Sequence, residues 1–261
     1  MLASERQKLI VDILLEKKHA MVADLASEFD VSFETIRRDL KVLEKSGMIE
    51  KSYGEARIKE RVSHDLDYET LSHLMVEIKK KIAEAAISYV EPHDCIYIDY
   101  ATTCQQLVEL LGEVPVTVMT NSLEALCKLV RTPNVEAFSP GGMWDQANHA
   151  FVGKSTLDCL DDFRFDKAFV SCRALSMEHG LSDRTEMEAS LRRKILQCSN
   201  EVYLMVDYSK FDKAAFVRTM DFSRITGIIT DATLNEEWKE FLAEHNIKYI
   251  NCYTVREEDE E

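Results

Sequence analysis

The sequence predicts an α/β multidomain fold, with an N-terminal winged helix-turn-helix ahead of a larger Rossmann-like α/β domain. Three observations lead there. In the first part, helical periodicity breaks at a turn made only of Asp30 and Val31, just ahead of a basic helix. From Val76 onward, apolar runs rich in β-branched residues alternate with helical periodicity. Polar residues and glycines of that second part gather just after the apolar runs, where an open parallel sheet keeps its ligand crevice.

Arg6 to Glu16 reads as a first helix with Leu9, Ile10, Ile13 and Leu14 inward, and Val22 to Phe29 as a second with Leu25, Ala26 and Phe29 inward. Ser32 is an N-cap for the third, because its hydroxyl can accept from an orphan N–H of the first turn. Ile36, Leu40 and Leu43 give that helix one apolar face, which leaves Arg37, Arg38, Lys41 and Lys45 outside. Four outward cations also suit an ordinary solvated helix, but the tight turn before them favours a helix lying in a DNA groove. Gly47 is a stop signal, and Met48 to Arg57 reads as a β-hairpin wing carrying Lys51 and Arg57 for phosphates. The DNA-facing set is Ser32, Glu34, Thr35, Arg37, Arg38, Lys41, Lys51 and Arg57. Domain limits follow at 1–57, a charged and partly helical linker at 58–77, and 78–261.

In the second domain Ile78, Ile82, Ala85, Ala86 and Tyr89 make a helix face, and Cys95 to Asp99 reads as a buried strand. Gln105 to Leu111 reads as a helix, Val116 to Thr120 as a strand, Leu123 to Val130 as a helix and Val135 to Phe138 as a strand. Phe165 to Ser171, Val202 to Val206, Ile225 to Ile229 and Lys248 to Val255 complete the strands, with helices at Glu186 to Cys198 and Glu236 to Glu244 between them. The acidic end, Glu257 to Glu261, reads as frayed.

Net charge is −15, yet residues 1–60 carry only −1 of it, so the acid lies away from the basic helix. Seven cysteines without a Cys-x-x-Cys pair, several inside apolar runs (Cys95, Cys127, Cys198, Cys252), fit buried reduced thiols in a cytoplasmic protein. The seven histidines have no metal-ligand spacing, so no metal and no cofactor is expected. No apolar run approaches a membrane span, and no signal-peptide pattern opens the chain.

The ends of the predicted strands carry Asp99, Thr102 and Thr103, then Thr120, Asn121 and Ser122, then Gly141 and Gly142, then Ser171, Cys172 and Arg173, then Asp207, Ser209 and Lys210. Hydroxyls and glycines at helix starts favour an anion, and Arg173 and Lys210 add positive charge. Each group singly also suits a cap, a turn or a hydrogen-bonded turn carboxylate. Five groups on one edge make the crevice reading the stronger one.

The pattern Arg6…Leu25-Ala26…Val31-Ser32…Thr35-Ile36-Arg37-Arg38-Asp39-Leu40…Leu43-Glu44…Gly47…Gly54 resembles the DeoR family of bacterial repressors of sugar metabolism. The resemblance continues through Asp99-x-x-Thr102-Thr103, Thr120-Asn121-Ser122, Gly141-Gly142, Gly153, Gly180-Leu181, Glu188-Ala189, Asp207-x-Ser209-Lys210-Phe211 and Thr230-Asp231. It implies a sensor domain that resembles ribose-5-phosphate isomerase in fold, binds a phosphorylated sugar and modulates the binding of double-stranded operator DNA, in a homo-oligomer. The implied effector set is Asp99, Ala101, Thr102, Thr103, Thr120, Asn121, Ser122, Gly141, Gly142, Arg173, Glu188, Asp207 and Lys210. Three departures stand out: Glu55 at the wing tip where the family has glycine, Ala101 where it has glycine, and Ser171-Cys172-Arg173-Ala174 where it has small residues. The leading expectation is a regulator, most simply a repressor of a carbohydrate-use operon. The alternatives are an isomerase-like enzyme using Asp99, Glu188, Asp207 and Lys210, and a second domain that only oligomerises.

Overall fold

The structure is a computed structural model that describes residues 3–45, 49–52, 54–58 and 68–254. The Gly47 stop, linker residues 59–67 and the acidic end lie outside the described residues. The chain divides into two compact units, Met1–Met75 and Val76–Glu261.

The first unit runs α1 (Ala3–Lys17), β1 (His19–Met21), α2 (Val22–Glu28), α3 (Phe33–Lys45), β2 (Ile49–Ser52), β3 (Glu55–Ile58) and α4 (Tyr68–His73). Ile10, Leu14, Leu25, Ile36, Leu40 and Ile49 are fully buried and form its core. The α1 stripe sits one step around the helix from the expected one. Val11 is buried, Ile13 is half-buried, and Leu9 is 42% exposed. The reason is the spacing of Arg6, Ile10 and Leu14, which puts one face of α1 on the core and turns Leu9 off it. The turn between α2 and α3 works because Asp30 takes φ +49°, a left-handed conformation that a short polar side chain tolerates, while Val31 N–H donates back to Ala26 O at 3.0 Å. The hairpin β2–β3 is joined by β1, giving an antiparallel sheet ordered β1-β3-β2. Three residues of alternating exposure are too short to stand out from the sequence as β1. Gly54 has φ +75° in the hairpin turn, where an L side chain would be strained.

The second unit is built on β4 (Cys95–Ile98), β5 (Val116–Thr120), β6 (Val135–Phe138), β9 (Phe165–Val170), β12 (Ser199–Met205), β14 (Gly227–Thr230) and β15 (Lys248–Asn251). They form one seven-stranded parallel sheet ordered β15-β14-β12-β9-β4-β5-β6. Helices α5 (Val76–Ala86), α6 (Gln105–Val108), α7 (Leu123–Leu129), α8 (Lys154–Leu160), α9 (Glu186–Cys198) and α10 (Glu236–Glu244) lie between the strands in sequence. Alternate strand residues feed two cores: Tyr97, Ala168 and Val170 belong to one, and Ile96, Ile98 and Phe169 to the other. Burial on both faces explains why these strands read as continuous apolar runs.

Two elements add to the expected alternation. β7 (Met143–Asp145) and β8 (Ala150–Val152) make a hairpin, and β10 (Ala174–Ser176), β11 (Gly180–Asp183) and β13 (Val217–Met220) make a small antiparallel sheet. The helix expected over 105–111 is a single turn, Gln105–Val108, followed by a 3-10 turn at Leu111–Glu113. Cys95 and Cys127 are exposed, whereas Cys104, Cys172, Cys198 and Cys252 are buried, so the reading of the first two as buried thiols is corrected. Cys95 opens its strand and Cys127 lies on the outer face of α7.

Candidate functional site

In α3, Ser32 Oγ accepts from Thr35 N–H at 3.2 Å and lies 2.9 Å from Thr35 Oγ1, so the N-cap expected of Ser32 is formed. The apolar stripe is as expected, with Ile36, Leu40 and Leu43 buried. Arg37, Arg38 and Lys41 are exposed. With Lys51 they line an open groove beside α3 and the β2–β3 hairpin, which Glu34 and Glu55 also line. Glu34 lies 3.9 Å from Arg37 with both side chains exposed, a contact worth little in water. Lys51 is held by Glu44 of α3 at 2.6 Å. Glu55 holds Arg57 at 3.1 Å and His19 at 2.9 Å, so the wing's acid is engaged with two basic side chains.

What positions this helix is a pair not identified as such from the sequence. Asp39, inside the Arg-Arg-Asp-Leu run, is buried and accepts from Arg6 Nε at 2.6 Å and Gln7 Nε2 at 2.9 Å. The pair ties α1 to the inner side of α3 while the neighbouring arginines stay outside.

In the second unit the sheet order reverses at one place. β4, β5 and β6 follow one another outward on one side, and β9, β12, β14 and β15 on the other, so the carboxyl ends of β4 and β9 bound the topological switch point. Asp99 and Ser171 stand there. Asp99 N–H donates to Phe169 O at 3.0 Å, and Ser171 N–H donates to Asp99 Oδ2 at 3.3 Å. Asp99 is fully buried and its charge is met by Arg192 of α9, whose Nη2 lies 2.7 Å from Asp99 Oδ2. Arg192 also pairs with Asp183 at the end of β11. Burial works against the Arg192 charge, but Asp183 and Asp99 outweigh it and hold its pKa well above the usual guanidinium range. Asp99 Oδ1 and Arg192 Nε remain buried without a hydrogen bond.

Other expected residues are held by their own neighbours. Thr120 Oγ1 accepts from Ser122 N–H, and Asn121 accepts from Tyr97 Oη at 2.9 Å and donates to Phe151 O at 3.1 Å. Ser122 Oγ caps α7 through Ala125 N–H and accepts from Gln105 at 2.8 Å. Gly142 is fixed by packing, since a Cβ there would stand 2.0 Å from Thr156 Oγ1 and 2.7 Å from Val152 O. Gly141 O accepts from Thr156 Oγ1 at 2.7 Å. Glu188 forms a capping box with Thr185 and also accepts from Asn148 at 2.9 Å. These contacts hold the turns at the carboxyl edge of the sheet.

Nearer the reversal, Thr103 is buried and Thr102 is partly exposed in the turn after Asp99. Ala101 has no positive φ, so a side chain at this position carries no conformational cost. The helix that follows is one turn long, too short for much of a macrodipole. Asp207 follows β12, caps the 3-10 turn Tyr208–Lys210 and accepts from Ser209 N–H at 2.9 Å. Burial raises its pKa, but the Lys210 charge, the Ser209 hydroxyl and the Lys79 charge more than reverse this, so it lies below the usual carboxylate range. Lys210 and Arg173 are each 9% exposed. Arg192, Asp183, Lys79 and Lys167 are among the buried charges of this unit that sequence reading missed. The available signal was a charged residue at an apolar helix position, as with Arg192 between Ala189 and Ile195.

Comparisons with known proteins bear on both units. The DeoR-like helix-turn-helix domain matches residues 6–62, and the DeoR C terminal sensor domain matches residues 75–232. An uncharacterized HTH-type transcriptional regulator, YulB of Bacillus subtilis, is 31% identical over 95% of this chain and 96% of that protein. The L-fucose operon activator of Haemophilus influenzae is 29% identical over 94% of this chain and 98% of that protein, and a putative aga operon transcriptional repressor of Escherichia coli O157:H7 is 29% identical over 95% and 93%. Among solved structures, a ribose 5-phosphate isomerase of Methanocaldococcus jannaschii is similar at a TM-score of 0.38 and 18% identity, over 52% of this chain and 54% of that one, too slight a likeness to bear on chemistry. Two domain matches in the order that the structure builds, and relatives aligned from end to end, make this chain a member of the DeoR family of helix-turn-helix transcriptional regulators.

Proposed function

We propose that this regulator binds operator DNA through α3 and the β2–β3 wing, represses a carbohydrate-use operon, and is modulated by a phosphorylated sugar at the carboxyl edge of the seven-stranded sheet. The observation that carries the effector reading is the switch point between β4 and β9, where Asp99, Thr102 and Thr103 of one turn lie with Lys210 and Arg173 near at hand in the fold order. The names of two relatives, an L-fucose operon activator and a putative aga operon repressor, support sugar use as the regulated process. The effector acts by differing in affinity between DNA-competent and DNA-incompetent states. A homo-oligomer fits the paired half-sites that a single small winged domain needs.

The crevice is read as a sensor rather than an isomerase. Two of the four groups that acid–base chemistry would require, Asp99 and Glu188, are tied into an ion pair and a helix cap. The deciding experiment titrates labelled operator DNA with the full chain, with and without a panel of sugar phosphates, and follows turnover of the same compounds. An operator-affinity change without turnover is expected. Turnover, or indifference of DNA binding to every sugar phosphate, would overturn it. Light scattering with and without operator checks the oligomer, which a monomer under both conditions would exclude.

A further inference from the structure

Arg173 stands just before β10 and Arg184 just after β11, and Arg173 N–H donates to Ser182 O at 3.1 Å. Antiparallel pairing of β10 with β11 therefore brings the two arginines to the same end of the hairpin. Their side chains converge on one atom. Arg173 Nη2 lies 3.4 Å and Arg184 Nη2 3.5 Å from Asn148 Oδ1, in the loop of the β7–β8 hairpin. The Asn148 amide nitrogen donates to Asp145 at 2.8 Å and Glu188 at 2.9 Å, which turns the amide oxygen toward the two guanidinium groups.

The two arginines differ in how their charge is met. Arg184 has Glu188 at 3.3 Å. Arg173 is 9% exposed, and its side chain's bond is the long contact to a neutral amide; among the described residues no carboxylate lies within ion-pair distance of it. A largely buried guanidinium normally sits on a carboxylate, because desolvating the charge without a partner is costly. Two like charges sharing one amide dipole would be relieved by an anion, which a planar fork can grip with two charge-assisted bonds.

We propose that Arg173 and Arg184 form a second anion subsite at the border of the effector crevice. The effector of this chain is then a phosphorylated sugar bearing a further anionic group, a carboxylate or a second phosphate. This rests on the sugar-phosphate reading of the crevice. Its place in the fold supports it: Arg173 is two residues beyond Ser171, which bonds Asp99 at the switch point, and Lys210 follows the adjacent strand β12. One anionic group takes the Lys210 and Thr102 side, and the other exchanges the long Asn148 contact for the Arg173 fork.

The test is isothermal titration of the full chain at fixed ionic strength with two matched pairs of probes. One pair is glucose 6-phosphate and 6-phosphogluconate, and the other is fructose 6-phosphate and fructose 1,6-bisphosphate. The doubly anionic member of at least one pair is expected to bind about tenfold tighter or more than its partner, the size of one added charge-assisted contact. The pair that shows the preference tells a carboxylate from a second phosphate. Arg173→Gln and Arg184→Gln each remove most of that preference, and Arg184→Gln, which lies outside the crevice set, leaves the monophosphate within about twofold, as expected of a contact to the second group only. Arg173→Lys, which keeps the charge and loses the fork, retains part of it, and a thermal melt of each variant verifies folding. Monophosphate binding with no preference in the wild type, or an equal preference in both Gln variants, overturns the second subsite and leaves the sensor reading standing. Failure of all four probes to bind overturns the second subsite, and the sensor reading falls with it only if operator binding is also indifferent to every sugar phosphate of the wider panel.

Discussion

Asp99 and Arg192 face each other across 2.7 Å with side chains only 1% and 3% exposed, and this ion pair joins the end of β4 to the middle of α9. Asp183 completes a triad in which one guanidinium serves two buried carboxylates. Replacing Arg192 with Met leaves both carboxylates desolvated and unpaired, a loss of about 3–5 kcal/mol. Denaturant unfolding of the full chain is expected to show it as a lower midpoint for the second unit. An unchanged midpoint would mean that the triad is solvated in solution.

The first unit separates structure from recognition within one short run of sequence. Asp39 is buried against Arg6, whereas Arg37 and Arg38 are exposed. Arg6→Ala strands the Asp39 carboxylate and is expected to unfold or strongly destabilise the unit, by about 3–5 kcal/mol. Arg37→Ala and Arg38→Ala leave the melt unchanged and weaken operator binding. A base contact would cost about 1–3 kcal/mol and relax specificity, and a phosphate contact would lower the salt slope by about 1. Operator titrations at several salt concentrations, beside a thermal melt, distinguish the three variants.

The same contrast explains what the sequence could reveal. Ile36, Leu40 and Leu43 announce the inner face of α3 by spacing alone, and the apolar runs around Ile96, Phe169 and Leu204 announce buried strands. The order of those strands is a long-range property. Nothing local to Asp99 says that β9 rather than β6 will lie beside β4. For the same reason the partners of Asp99 were hidden, since Arg192 lies 93 positions away and Asp39 finds Arg6 over 33. Residues at strand ends were legible as a group, but Thr120, Asn121 and Ser122 hold one another and their neighbours in ways that only the folded turn defines.

Asp207 gives the carboxyl edge of the sheet a pH signature. Its folded pKa lies below the usual value because Lys210, Ser209 and Lys79 outweigh its burial. Stabilisation from this carboxylate is therefore complete above its unfolded pKa of about 4 and is lost as pH falls through the folded value. Asp207→Asn is expected to cost about 1–3 kcal/mol at neutral pH. The cost should shrink toward zero under strongly acidic conditions, where the wild-type group is protonated too. Denaturant unfolding of both proteins from neutral to acid pH measures the convergence. Parallel curves would show that Asp207 does not carry the charge in the folded state.

Glu55 makes the sharpest claim on DNA affinity. It opens β3 opposite Ser52 and Met21, beside the turn at Gly54, and it holds Arg57 at 3.1 Å and His19 at 2.9 Å. An acid at the wing has two effects on a duplex. It places a negative charge near phosphates, and it engages Arg57, a cation that would otherwise displace counterions. Side-chain exposure decides which partner is freed by its removal. Arg57 is 63% exposed and His19 60%, so both can swing to a phosphate once released, whereas Glu55 at 17% is held against the sheet. Glu55→Gln keeps the shape and removes the charge. It is expected to tighten operator binding several-fold at low salt and to steepen the log–log salt dependence by about 1, the increment for one added phosphate contact. The exposed ion pairs cost little to lose, so the melting temperature should stay nearly unchanged. If Glu55→Gln binds operator as the wild type does at every salt concentration, the wing does not approach the phosphate backbone, and recognition lies with α3 alone.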